Sequence, residues 1–322
     1  MAKDVIILGA KGRFGRAAAQ AFLAAGWRVR GLARDWDSGR IDPRIERVTA
    51  DAFDADAVSA AAAGADVIVN ALNPAYSNWA RDLPRLAAST LAAAKATGAS
   101  VLLPGNVYNY GSGMPPVLDE MTLPQPTTRK GKLREAMENL YAEAADEGVQ
   151  TLILRGGDFI EREKTGNWFD TYIAAKAGQG RVTYPGPLDR VHAWAYLPDM
   201  ARAMVGLAEK RAQIGPFAGF GFEGFNLTGH ELVTAMERVA GRALKVGSMP
   251  WGAMRVAGLF APDIREVMEM RYLWTVPHAI DGRKLRALLP DYRPTPLLAA
   301  LADAMHVDVP EASADPAAVA TS

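Results

Sequence analysis

The chain has 322 residues, 49% of them hydrophobic, with 36 Lys plus Arg balanced by 36 Asp plus Glu and no cysteine. That balance leaves no global charge to attract nucleic acid or an anionic membrane, and the lack of cysteine excludes disulfides and thiolate metal or nucleophile sites. No run of about 18 apolar residues suggests a membrane span, the four histidines are too scattered to suggest a metal site, and the chain runs into a strand with no room for a signal peptide, so a cytoplasmic protein is expected.

Strand-like and helix-like segments alternate through the first half. Strands are expected at Val5–Leu8, Trp27–Leu32, Ile45–Thr49, Val67–Asn70, Ser100–Leu103 and Gln150–Leu154. Helices are expected at Arg16–Ala25, Ala55–Ala63, Leu83–Thr97 and Lys132–Glu147, each followed by a glycine suited to a left-handed cap. Strands separated by helices imply crossover connections and a parallel sheet covered on both faces. The fold class is therefore α/β, a doubly wound parallel sheet of Rossmann type with a smaller C-terminal substrate lobe. The length suits two domains: a dinucleotide-binding domain over 1–155, with segments returning near 190–206 and 276–283, and a lobe over 156–306. After Leu154 the pattern loosens. The run Phe217–Gly224 reads as a loop, Glu231–Ala240, Trp251–Phe260 and Leu297–Met305 read as helices, and 307–322 reads as a disordered tail.

The most informative segment is the first. Val5–Leu8 leads directly into Gly9-Ala10-Lys11-Gly12-Arg13-Phe14-Gly15 and then an alanine-rich helix. Glycines at such a turn let backbone approach a pyrophosphate, and the helix N-terminus faces its charge. Gly9, Lys11, Gly12, Arg13, Phe14 and Gly15 are therefore candidate cofactor residues. The second strand ends in Leu32 and Ala33, followed by Arg34. A carboxylate there would bind the ribose of NAD, whereas an arginine pairs with a 2′-phosphate. NADP(H) is expected in preference to NAD(H), with Lys11 and Arg13 adding charge on the same side. Asp35 lies one residue further on, and the bland reading of Arg34 and Arg13 is a solvated surface. Asp51 and Ala52 follow the third strand and face the adenine edge; Ala71, Leu72 and Asn73 follow the fourth and face the nicotinamide. Each of these could instead merely cap the next helix.

Several segments together resemble the short-chain dehydrogenase/reductase superfamily, in its extended branch of NAD(P)-dependent epimerases and dehydratases. They are the glycine turn, Ala50-Asp51, Val107-Tyr108-Asn109-Tyr110-Gly111, Leu154-Arg155-Gly156-Gly157-Asp158-Phe159, Trp194–Ala201 and Arg293-Pro294-Thr295-Pro296-Leu297. The resemblance implies a Ser or Thr after the fifth strand and a YxxxK pair at the next helix. This chain departs at each position: Gly105 or Asn106 replaces the serine, Lys130 the tyrosine and Arg134 the lysine. It also implies that Gly157 touches the nicotinamide.

Two readings of Lys130 and Arg134 stay open. The two are neighbours on one helix face, and a fixed arginine beside a desolvated lysine would lower the lysine's pKa enough for acid–base work. Alternatively Arg129, Lys130, Lys132 and Arg134 form a solvated basic face. Arg134 would take the ribose contact, Asn106 would donate to a substrate carbonyl, and Tyr108 or Tyr110 is a second source of the proton. Asp158 reads as a turn cap or substrate ligand, Asp199 as a helix cap, and His192 as a structural histidine. Trp168, Phe169, Tyr172, Trp251, Met254, Tyr272 and Trp274 read as core. Any that line a pocket would favour an aromatic or apolar substrate over a sugar nucleotide.

Three functions follow as alternatives. The first is an NADP(H)-dependent oxidoreductase acting on a small carbonyl or alcohol. The second is an epimerase or dehydratase with a retained cofactor. The third is an NADP(H)-binding sensor without turnover. The expected partner is a small molecule, with neither nucleic acid, membrane nor metal, and a homodimer is compatible with the sequence.

Overall fold

The computed structural model describes residues 3–36 and 41–307. The expected tail beyond Val307 lies outside the described residues. In chain order the first half gives β1 (Asp4–Leu8), α1 (Arg13–Ala24), β2 (Arg28–Ala33), β3 (Glu46–Thr49), α2 (Ala55–Ala62), β4 (Val67–Asn70), α3 (Trp79–Thr97), β5 (Ser100–Gly105), β6 (Val117–Leu118), α4 (Arg129–Glu143) and β7 (Thr151–Arg155). The second half gives β8 (Asp158–Ile160), β9 (Arg181–Tyr184), β10 (Val191–Tyr196), α5 (Leu197–Lys210), β11 (Phe217–Gly221), β12 (Phe225–Thr228), α6 (Gly229–Ala240), β13 (Lys245–Ser248), α7 (Trp251–Ala257), α8 (Pro262–Glu269), β14 (Ala279–Ile280), α9 (Arg283–Leu288) and α10 (Leu297–Met305).

The main sheet is parallel, in the order β11-β7-β5-β4-β1-β2-β3. This is the doubly wound α/β sheet that the alternation predicts. The strand order reverses between β1 and β4, so a crevice opens there at the carboxyl ends of the strands. Strand β1 is buried on both faces, with Val5, Ile6, Ile7 and Leu8 wholly inaccessible. That explains why its sequence is an unbroken apolar run rather than an alternation. Its side chains feed two cores, one under α2 and α3 through Ile6 and Leu8, the other under α1 and α5 through Val5 and Ile7.

Two expectations need correction. The run Phe217–Gly224 is not a loop. Its first five residues are β11, which pairs in parallel with β7 from Phe217↔Thr151 to Gly221↔Arg155. Alternating glycines mimic a turn, but Gly221 has a packing reason: a Cβ there would stand 2.1 Å from the Asp281 carbonyl oxygen. Residues 217–221, within the expected lobe, thus also join the main sheet. The helix expected over Trp251–Phe260 is shorter, since α7 stops at Ala257 and a separate helix α8 opens at Pro262.

The lobe has its own three-stranded sheet, β12-β10-β8, and its own core around Phe169, Trp194, Trp274, Leu232 and Met236. Strand β8 pairs with β10 in the register Trp194↔Asp158. Gly157 precedes it, and a Cβ at that position would meet the Ala193 carbonyl oxygen at 2.0 Å. No helix among the described residues is long and apolar enough to cross a membrane.

Candidate active site

A crevice of about 1190 Å³ runs between the carboxyl ends of the main sheet and the lobe. One half is bounded by the glycine turn, Arg34, Asp35, Asp51 and Ala52, and by Ala71, Leu72 and Asn73. The other half meets Tyr76, Trp79, Asn106, Tyr108 and Arg134 from the sheet side, and Gly157, Asp158, Phe159, Trp168, Tyr172, Val267 and Met270 from the lobe.

The turn is as tight as its glycines suggest. Gly9 has φ +79°, and a Cβ on it would lie 3.0 Å from the Ala71 carbonyl oxygen. A Cβ on Gly15 would fall 2.2 Å from the Gly9 carbonyl oxygen. Helix α1 begins at Arg13, earlier than the expected Arg16, so Phe14 and Gly15 lie in its first turn. Its N-cap is Gly12, with no side-chain cap and no acid in that turn. The helix end thus faces the crevice with free N–H groups and a positive dipole, which fits a dinucleotide pyrophosphate. Arg34 is exposed at the rim just beyond β2. Lys11 is ion-paired to Asp35. Asp51 is exposed and accepts from the Phe53 N–H at 3.1 Å, while Ala52 is buried.

Arg13 does not add its charge to the Arg34 side. Its guanidinium crosses the crevice, donating to Thr165 Oγ1 at 2.6 Å and to the Thr165 carbonyl at 2.9 Å, with Glu161 Oε1 at 3.0 Å. Glu161 is buried, and burial pushes its carboxyl pKa up. A charge held by such a partner is worth most where water is excluded, so Arg13 belongs to the closure of the crevice by the 161–167 loop.

Lys130 is not part of a solvated face. It is wholly buried and does not line the crevice. Its ammonium pairs with Glu266, donates to Glu269 Oε2 at 2.7 Å and donates to the Glu266 carbonyl at 3.0 Å. Arg129 joins the same cluster, donating to Glu266 Oε1 at 2.9 Å. Two carboxylates from α8, 136 and 139 residues away, therefore hold the lysine. Nothing in the local sequence of α4 signals them. Arg134 does reach the crevice. It is buried, donates to Asn73 Oδ1 at 3.2 Å, and lies 4.5 Å over the Trp79 ring, while its Nε has no partner. Burial pulls its pKa down, yet an arginine so placed stays charged.

Asn106 follows β5, and its Oδ1 accepts from the Tyr108 N–H at 3.0 Å. The Tyr108 hydroxyl lies 3.3 Å from that of Tyr76. Burial, with the Tyr76 hydroxyl and Asp158 carboxylate nearby, pushes the Tyr108 phenol well above its ordinary pKa. Tyr110 instead packs against Arg155, 5.2 Å from the guanidinium, and is absent from the crevice lining.

Asp158 is not a cap. Its Oδ2 lies 2.8 Å from His192 Nε2. The His192 ring stacks on Trp274 at 4.2 Å with a 3° tilt and meets His278 at 4.6 Å. Burial and His192 lower the His278 pKa from 6.5 to about 3. Asp199 is not the cap of α5 either, since it accepts from the Thr295 N–H at 2.6 Å and from Arg202 at 2.6 Å. Of the aromatic residues expected in the core, Trp168 and Tyr172 line the crevice. Sequence reasoning missed Tyr76, Trp79 and His278 as lining residues. Tyr76 and Trp79 follow Pro74 in a segment without periodicity, and only the loop position after β4 marked them.

Residues 9–123 match the NAD(P)H-binding family model. No curated protein matches the chain by sequence. The described fold resembles solved structures over nearly its whole length. A Burkholderia cenocepacia protein described as an epimerase is 22% identical with TM-score 0.75, covering 94% of this chain and 97% of that one. A nucleoside-diphosphate-sugar epimerase of Pseudomonas aeruginosa is 20% identical with TM-score 0.74, covering 94% and 96%. The UDP-glucose 4-epimerase of Brucella ovis, solved with NAD, is 17% identical with TM-score 0.74, covering 95% and 98%. The chain thus shares the overall fold of these epimerase structures. The matched region contains the glycine turn, whose close backbone packing fits a nicotinamide dinucleotide.

Proposed function

We propose that the protein is an NADP(H)-dependent oxidoreductase exchanging hydride with a small carbonyl or alcohol on an apolar or aromatic body. The observation that carries this reading is the meeting in one crevice of the glycine turn with Asn106, Tyr108 and Arg134. When bound, the nicotinamide supplies or takes up the hydride.

The chain's own residues account for the remainder. Arg34 is the group for a 2′-phosphate, and Asp35, the acid that would compete for a ribose, is engaged by Lys11. The unpartnered Nε and fixed charge of Arg134 suit ribose hydroxyls. Asn106 spends its amide oxygen on the Tyr108 N–H, so its amide N–H groups are the donors for a substrate oxygen. Tyr108 gives the proton. A phenol of raised pKa stays protonated, so it serves an oxygen that gains negative charge and resists acting as a base. The apolar wall of Trp79, Phe159, Trp168 and Met270 excludes water and suits an aromatic or apolar substrate.

The test is titration with NADPH and NADH by nicotinamide fluorescence, then a panel of aromatic and aliphatic ketones. Tight NADPH binding with ketone-dependent oxidation of NADPH supports the reading. Failure to bind either nucleotide overturns it. The epimerase alternative draws on the Arg13–Thr165 tie, which closes the loop over the turn and would retain a cofactor. It predicts cofactor that copurifies and no net redox change. Tight NADPH binding without turnover would favour the sensor.

A further inference from the structure

The lobe side of the crevice presents the Asp158 carboxyl. Among the described residues, His192 is the one salt-bridge partner of Asp158. A carboxylate only accepts, so His192 Nε2 carries the hydrogen of their 2.8 Å contact. His192 Nδ1 is buried and has no hydrogen-bond partner. A bare lone pair there is far less costly than the unpartnered N–H that an imidazolium would bury. The geometry therefore describes an imidazole whose Nε2 orients the Asp158 carboxyl.

His278, in ring contact with His192, is kept neutral by burial. Tyr108 and Tyr272 are phenols, and the Tyr272 hydroxyl is itself buried without a partner. Arg134 belongs to the opposite wall, over Trp79 and bonded to Asn73, and Lys164 is exposed at the rim. Aromatic rings surround the remaining space: Phe159, Trp168, Tyr172 and Tyr108. Trp168 and Tyr172 stand as a tilted pair with centroids 5.1 Å apart. Ring faces attract cations, and a carboxylate within an aromatic enclosure strengthens that attraction.

We infer that the lobe half of the crevice is a recognition site for a cationic nitrogen on an aromatic or apolar body, a protonated amine or imine, with Asp158 as its counter-ion. Such a ligand supplies a positive charge and offers ring surface to the aromatic wall. The amine–imine couple is the nitrogen counterpart of the alcohol–carbonyl couple, so the inference rests on the proposed oxidoreductase reading for the ligand's role as substrate. Binding of the cation stands apart from it. A protonated nitrogen also carries its own proton, which suits a site whose tyrosine lacks an activating lysine.

The test compares 1,2,3,4-tetrahydroisoquinoline, protonated at pH 7, with isochroman, its neutral oxygen isostere. Binding to the full-length protein is followed by tryptophan fluorescence and calorimetry, with and without saturating NADPH. The amine is expected to bind at least tenfold more tightly, and Asp158→Asn to erase that preference while melting temperature and NADPH affinity are kept. Equal binding, binding of neither ligand, or a preference that survives in Asp158→Asn overturns the inference. If the substituted protein does not fold, the wild-type comparison alone decides, supplemented by loss of amine binding as pH falls through the carboxylate range. Failure of NADPH to bind counts against the oxidoreductase reading and leaves the amine comparison standing.

Discussion

The Lys130 ammonium donates to Glu269 Oε2 at 2.7 Å and is also paired with Glu266, which fastens α4 to α8. Helix α8 supplies Val267 to the crevice, and Met270 and Leu273 follow it. Lys130 also lies 5.0 Å from the Tyr76 ring. The residue in the position of the family's tyrosine is thus a structural cation that holds one wall of the crevice. Replacing Lys130 with Met leaves Glu269 without this partner and Glu266 with Arg129 alone. Breaking a buried pair from one side costs roughly 3–5 kcal/mol. Chemical denaturation should show a loss of that order, while NADPH still binds the folded fraction. A variant of wild-type stability would refute the buried-pair account.

Tyr108→Phe tests the proton donor. With the hydroxyl gone, turnover on a reducible ketone should fall by about a hundredfold, within the usual range for general acid catalysis. Its NADPH dissociation constant should stay within a factor of two or so, because the group acts on substrate. Tyr76→Phe should have a smaller effect, since the Tyr76 hydroxyl, 3.3 Å from that of Tyr108, supports the donor and is not itself the proposed donor. Equal turnover in wild type and Tyr108→Phe would remove Tyr108 from the chemistry.

Arg34→Ala separates the two cofactors. The guanidinium should matter only to the nucleotide bearing a 2′-phosphate, so NADPH affinity should drop about tenfold or more, on the scale of a charge-assisted contact. NADH affinity should barely move. A parallel loss for both nucleotides would mean that Arg34 supports the turn and does not read the phosphate.

Stability should depend on pH through His278. Its folded pKa of about 3 lies below its ordinary value of 6.5. Unfolded chains therefore bind the extra proton first as pH falls. The contribution is complete above pH 6.5 and lost on acidification toward 3, at up to about 1.4 kcal/mol for each pH unit. Urea midpoints measured from pH 7.5 to 5 should fall less steeply in His278→Asn than in the wild type. Parallel slopes would count against a neutral buried His278.

The nucleotide half of the crevice was legible because its signals are local. Val5–Leu8 and the glycines lie within eleven residues, and Gly12 and Gly15 both pack against the Gly9 carbonyl. The catalytic half was not, because its partners are remote. Glu266 and Glu269 lie on a different helix from Lys130, and His192 reaches Asp158 only through the β8–β10 pairing. Arg13 looked like a phosphate ligand until the 161–167 loop, some 150 residues downstream, proved to be its partner. Strand β11 was missed for a related reason. Its pairing with β7 is non-local, and glycines at Gly219 and Gly221 outweighed its phenylalanines in a short window.

That pairing has a consequence for the order in which the molecule is assembled. The sheet's outer strand on the β7 side is supplied from Phe217–Gly221, long after β7 itself at Thr151–Arg155. During synthesis, or in any fragment cut near residue 155, the apolar strand Leu152-Ile153-Leu154 presents an uncovered hydrogen-bonding edge. Such edges recruit strands from other chains. A truncated nucleotide-binding half would therefore tend to aggregate, and expression of the whole chain is the sounder route to a well-behaved protein.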